Sequence, residues 1–128
     1  MDRYLAILST IAEDVIPVGH AKIAAAIVYK GEILSIGVCS YKTHPFQKMN
    51  GRNPMSIHKH AEIDALIKCQ SKIRKRGISL KKCTMYIARV KRPNAMADWY
   101  VPGLAKPCDG CMKAIQEAGI TKIIHTEN

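Results

Sequence analysis

His60-Ala61-Glu62-Ile63-Asp64-Ala65-Leu66 opens a segment in which Ile63, Leu66, Ile67 and Ile73 recur at helical spacing before Gly77, so the sequence predicts a helix from about His60 to Lys75. Downstream, Thr84 to Val90 reads as a strand and Lys91 to Lys106 as a loop. Pro107 to Ala118 reads as a second helix stopped by Gly119, and Ile120 to His125 as a final strand. Upstream, Leu5, Leu8, Ala12 and Val15 mark a helix over residues 2 to about 15, ending before Pro17 and Gly19. Lys22 to Tyr29 and Ile33 to Tyr41 form a hairpin about Lys30-Gly31, with Ile33, Ser35 and Gly37 on one face and Leu34, Ile36 and Val38 on the other. Residues 42 to 57, broken by Pro45, Asn50, Gly51, Asn53 and Pro54, read as a loop. The expected order is αββαβαβ, an α/β fold of three-layer type around a mixed sheet of about four strands. Strand-helix-strand alternation in the second half points to parallel strands joined by crossovers.

The 128 residues suit one hydrophobic core, so residues 1–128 are expected to form a single domain. No run of about 18 uncharged apolar residues occurs, so no membrane partner is expected. Five cysteines are an odd number for a secreted disulfide framework, which points to free thiols and a cytoplasmic location. Cys39, Cys69 and Cys83 have no ligand-spaced partner and read as packing cysteines. The formal charge of +10 is confined to one segment: from Ala65 to Ala97 there are ten Lys or Arg and no acid. A solvated surface explains such a run, and so does an anionic partner, a nucleotide phosphate or a nucleic-acid backbone.

Two motifs carry chemistry. His60-x-Glu62 and Pro107-Cys108-Asp109-Gly110-Cys111 both open helices after a strand and loop, where a layered α/β domain builds its sites. Cys108 and Cys111 share a helical face at a positive helix end, which favours thiolates. Two thiolates and an imidazole make three zinc ligands and leave a fourth position for water, as catalytic zinc sites do. Glu62, two residues from the histidine, is then placed to carry a proton without binding the metal. A thioredoxin-like Cys-x-x-Cys pair would leave the His-x-Glu helix unexplained. A structural zinc site needs a fourth protein ligand, for which His58 is the nearby candidate, although a solvated loop histidine is the commoner role.

The pairing resembles the cytidine and deoxycytidylate deaminase superfamily, whose signature is H-x-E followed by P-C-x-x-C. The resemblance extends from the first helix to the last strand. It implies a zinc cofactor held by His60, Cys108 and Cys111, and hydrolysis of cytosine to uracil and ammonia with Glu62 shuttling the proton. It also implies a base contact at the Ala61 amide, which lies at a helix start where such donors are free. Where the superfamily usually carries a sugar-binding Asn after the second strand's glycine, this chain has Cys39, and His44, Asn50 or Asn53 are candidate substitutes. Arg89, Lys91, Arg92 and Lys106 are candidate phosphate contacts. Trp99 and Tyr100, in the loop before the Cys108 helix, are expected as a buried anchor, with base stacking the second role. Only seven aromatics occur, which favours a compact pocket for a free nucleotide or nucleoside over a single-strand groove. A deaminase of single-stranded DNA or RNA, using the basic 65–97 segment, is the second reading and a non-catalytic zinc module the third. Members of the superfamily often assemble, so a homo-oligomer is expected.

Overall fold

The computed structural model describes residues 2–16, 22–40 and 60–127; Tyr41, the 42–57 loop, His44, Asn50, Asn53 and His58 lie outside them. The elements are α1 (Arg3–Glu13), β1 (Lys22–Tyr29), β2 (Glu32–Val38), α2 (Ala61–Arg76), a 3-10 turn (Leu80–Lys82), β3 (Thr84–Lys91), β4 (Val101–Gly103), α3 (Asp109–Ala118) and β5 (Lys122–His125).

Each helix starts and stops for a local reason. Asp2 caps α1 by accepting from the Tyr4 amide at 2.8 Å. α2 carries Glu62 and Asp64 in its first turn and Arg74, Lys75 and Arg76 in its last, each sign opposing the helix dipole. Gly119 closes α3 in the left-handed region, and the Ile120 amide bonds back to the Ile115 carbonyl at 3.2 Å. That cap consumes Ile120, so β5 begins at Lys122, two residues later than its apolar run predicts.

Among the described residues the sheet is mixed and five-stranded. Its order is β2-β1-β3, with β4 and β5 both on the far edge of β3. Only β3 and β5 pair in parallel; β1 is antiparallel to both β2 and β3. β2 and β3 therefore run the same way with β1 between them, so the α2 crossover spans an intervening strand. Both crossovers therefore join strands that run the same way, as expected, and only those joined through α3 are also neighbours. The fifth strand, β4, lies inside the segment read as loop, because three residues with a proline at the centre carry too little signal to register. Thr126 joins the two short strands: its Oγ1 donates to the Gly103 carbonyl at 2.6 Å and accepts from the Arg89 amide at 3.0 Å.

Alternation along the strands sends Ala24, Ala26, Val28, Tyr86, Ala88 and Val90 to α1, where Leu5, Leu8 and Ala12 cover them. Ala25, Ile27, Met85 and Ile87 face the other way, under Ile63, Leu66 and Cys69 of α2 and Ile115 of α3. The hairpin turns at Lys30 and Gly31, both with positive φ. A register shift between Ile27 and Val28 exchanges the expected faces of Ile33 and Leu34, turning Leu34 toward α2 and Ile33 toward α1.

Candidate active site

Both motifs sit at helix starts, and the two starts lie side by side. His60 is the N-cap of α2 and Cys108 the N-cap of α3. The second helix starts two residues beyond the expected Pro107, because the Cys108 sulfur accepts from the Cys111 amide at 3.5 Å and so takes the capping place. His60 Nδ1 lies 3.1 Å from Cys111 Sγ and 3.6 Å from Cys108 Sγ, and the three ligand atoms fall within 4.8 Å of one another. Zn–N and Zn–S bonds of about 2.0 and 2.3 Å give a tetrahedron with N to S edges of about 3.5 Å, so the group fits zinc with small adjustment. Among the described residues the group has three members, His60, Cys108 and Cys111.

The protonation of the two thiols without metal follows from their crowding. Cys108 is pulled down to about 4, first by the Cys111 hydrogen bond and then by His60. Cys111 is pushed up, first because it donates to Cys108 and then by burial. One thiolate is thus stored beside a protonated thiol, a pair that a metal would convert to two thiolates with release of a proton. Glu62, the second residue of α2, is 5% exposed. Burial raises its carboxyl, while its own backbone amide and His60 pull the other way.

Two contacts that sequence reasoning did not single out fix where α2 begins. The Val38 amide donates to Asp64 Oδ2 at 3.0 Å, tying the end of β2 to the first turn of α2, and Lys68 pairs with the same oxygen at 2.8 Å. Ser35 Oγ donates to the Ala65 carbonyl at 2.7 Å. The signal was present in Glu62 and Asp64, acids two positions apart in the first turn of a helix whose next residues pack inward. Such acids can be buried only with partners.

The other candidates distribute unevenly. Ala61 is buried at the head of α2. Cys39 is buried beside Val15 just past β2, with Ile23 and Val38 against it. Cys69 and Cys83 are buried too, matching their expected packing role. Arg89 and Lys91 lie on the α2–α3 face of β3, but the Arg92 guanidinium packs over the Tyr100 ring, 5.9 Å from its centre, on the α1 side. Trp99 is 56% exposed, which overturns the expectation of a buried anchor; Tyr100 takes that position, packed on the α1-side core and hydrogen-bonded to Lys22 at 2.9 Å. Within the basic segment, Lys68 and Arg76 are committed to ion pairs with Asp64 and Glu32.

A mixed sheet whose helix N-termini bring an imidazole, two thiols and a buried carboxyl together has the architecture of a zinc-site base deaminase. The chain belongs to the family described as the cytidine and deoxycytidylate deaminase zinc-binding region, whose model matches residues 1–127. Among solved structures it is similar to guanine deaminase from Bacillus subtilis (21% identity, TM-score 0.57), covering 99% of this chain and 65% of that one. It is also similar to dCMP deaminase from the cyanophage S-TIM5, in apo form (23% identity, TM-score 0.57; 98% of this chain, 84% of that one) and in complex with dCMP and dUMP (20%, 0.57; 98% and 82%). At these identities the likeness is one of fold. This chain spans just under two thirds of the guanine deaminase's length. No curated protein matches it. Among the described residues no helix is long and apolar enough to cross a membrane.

Proposed function

We propose that this protein is a zinc-dependent hydrolase that deaminates a cytosine-type base in a free nucleotide or nucleoside. The observation that carries this reading is the approach of His60 Nδ1, Cys108 Sγ and Cys111 Sγ to within 4.8 Å of one another, with buried Glu62 on the same helix start. Zinc bound there would supply a Lewis acid that makes water nucleophilic near neutral pH. Glu62 accepts the proton of the attacking water as oxygen bonds to the ring carbon bearing the amino group. It delivers that proton to the ring nitrogen, takes the second proton from the newly added hydroxyl, and passes it to the amino group, which departs as ammonia as the C–N bond breaks and the carbonyl forms. Burial suits Glu62 to this shuttle, since a carboxyl with a raised pKa gives up and recovers a proton more evenly than an exposed one. The Ala61 amide, at the head of α2 where helix donors lack an intrahelical partner, would donate to the base.

Ammonia release by zinc-loaded protein from cytidine, deoxycytidine, CMP, dCMP, guanine and a cytosine-bearing oligonucleotide tests the reading. Turnover of a cytosine monomer supports it. Turnover of the oligonucleotide alone would favour the basic 65–97 segment as a strand-binding surface, with activity falling steeply as salt rises. Glu62→Gln separates catalysis from metal binding: the reading expects at least a 100-fold loss of turnover with zinc retained. Zinc bound without turnover by the unsubstituted protein would leave a binding module.

A further inference from the structure

The α2–α3 face of the sheet ends in a row made of Ile23, Arg89 and Gly103, joined by the pairings of β1 with β3 and β3 with β4. In the row before it, Gly37 lies under Ala61 and Ala65 of α2, and one step further back Ser35 bonds Ala65. The helix therefore advances toward its N-terminus as β2 and β3 advance toward their C-terminal ends. Arg89 stands one row beyond Ala61, on the face and at the end where His60 and Glu62 are presented.

Its side chain is held there. Gly103 is its partner across the strands, and a Cβ at Gly103 would lie 3.2 Å from both Cγ and Cδ of Arg89 and 3.5 Å from Cδ of Lys91. Two cationic stems thus cross a glycine on the short strand that leads into the Cys108 helix. Nε of Arg89 is buried and has no hydrogen-bond acceptor among the described residues. A guanidinium keeps its charge at every accessible pH, and its planar fork matches two oxygens of a phosphate.

We propose that Arg89 receives the phosphate monoester of the substrate, so that the site takes a nucleoside monophosphate in preference to a nucleoside. The assignment rests on the deaminase reading for its substrate and on the Arg89 geometry for its anion. The test compares kcat/KM for dCMP and deoxycytidine in the zinc-loaded protein, in Arg89→Gln and in Arg89→Lys. Loss of a charged hydrogen-bonding partner should lower the dCMP-over-deoxycytidine ratio on the order of 10- to 100-fold in Arg89→Gln, mostly through KM, with Arg89→Lys in between because it keeps charge without the fork. A ratio unchanged in both variants would overturn the proposal, as would loss confined to an oligonucleotide, which would assign the cation to a strand backbone. A second readout needs no turnover: inorganic phosphate should raise the melting temperature of the zinc-loaded protein but not of Arg89→Gln. Phosphate stabilisation that survives Arg89→Gln would sink the proposal even if deamination is confirmed, and its loss would sustain the anion site even if the chain deaminates nothing tested.

Discussion

Gly37 on β2 and Ala61 at the head of α2 are so closely apposed that a methyl carbon on Gly37 would lie 2.3 Å from the Ala61 carbonyl oxygen and 2.3 Å from the Ala65 amide nitrogen. Both neighbours are backbone, so neither can swing aside as a side chain would. Gly37→Ala is therefore expected to lift the first turn of α2, with His60 and Glu62, off the sheet. Overpacking costs typically 1–3 kcal/mol, and a backbone collision belongs at the upper end, about 3 kcal/mol. Urea unfolding should show that loss and metal analysis a zinc content below one per chain. Full zinc occupancy with unchanged stability would contradict the close packing.

Glu62 makes the metal-free protein pH-sensitive in a definite direction. Its carboxyl is raised by burial in the folded state, so folding takes up a proton between the ordinary pKa of 4.5 and the higher folded value. Its contribution to stability is fully present below the ordinary value and is lost as pH rises through the folded one. The metal-free Glu62→Gln variant, which has no charge to bury, should accordingly be more stable than the metal-free parent at pH 8 and no more stable at pH 4. Melting curves at the two pH values check this, and a variant less stable at both would show that the carboxylate is well solvated or paired.

Much of this site was legible because its chemistry is written at short range. His60-x-Glu62 and Cys108-x-x-Cys111 each occupy a single helix start, and helix starts announce themselves through caps, prolines and the onset of apolar spacing. The hairpin was legible for the same reason, Lys30-Gly31 between two apolar runs. What depends on distant partners was not. β4 exists because β3 offers an edge, not because Val101-Pro102-Gly103 favours a strand. Trp99 is exposed because Tyr100 found Lys22, 78 residues away in sequence. The insertion of antiparallel β1 between β2 and β3 likewise leaves no mark on local periodicity.

The cysteines should separate by reactivity. Without metal, Cys108 is held near 4 and is thiolate at pH 6, whereas burial pushes Cys69 up to about 11 and keeps it a thiol at pH 8. Brief iodoacetamide treatment of chelator-treated protein at pH 6, read by peptide mass mapping, should label Cys108 first and leave Cys69 and Cys83 intact. Zinc should protect Cys108. Labelling of Cys69 ahead of Cys108 would show that the thiol crowding at the two helix starts is absent in solution.

Lys30 is the one described non-glycine residue with positive φ, at 47°, and it shares the two-residue turn with Gly31 at 79°. A β-carbon in the left-handed region costs about 1 kcal/mol, and asparagine tolerates that region better than lysine because its short side chain hydrogen-bonds locally. The Lys30 ammonium lies 5.2 Å from the centre of the Tyr29 ring, an exposed cation–π contact that offsets roughly 0.5 kcal/mol. The turn term is the larger, so Lys30→Asn should stabilise the chain by a few tenths of a kcal/mol, while Lys30→Val, β-branched and ill-suited to positive φ, should destabilise it by more than 1 kcal/mol. The hairpin is distant in sequence from both motif helices, so neither change should alter zinc content. Equal stabilities of the two variants in urea would mean that the turn relaxes out of the left-handed region and that the β1–β2 register is set instead by the packing of Leu34 and Ile33 on opposite faces.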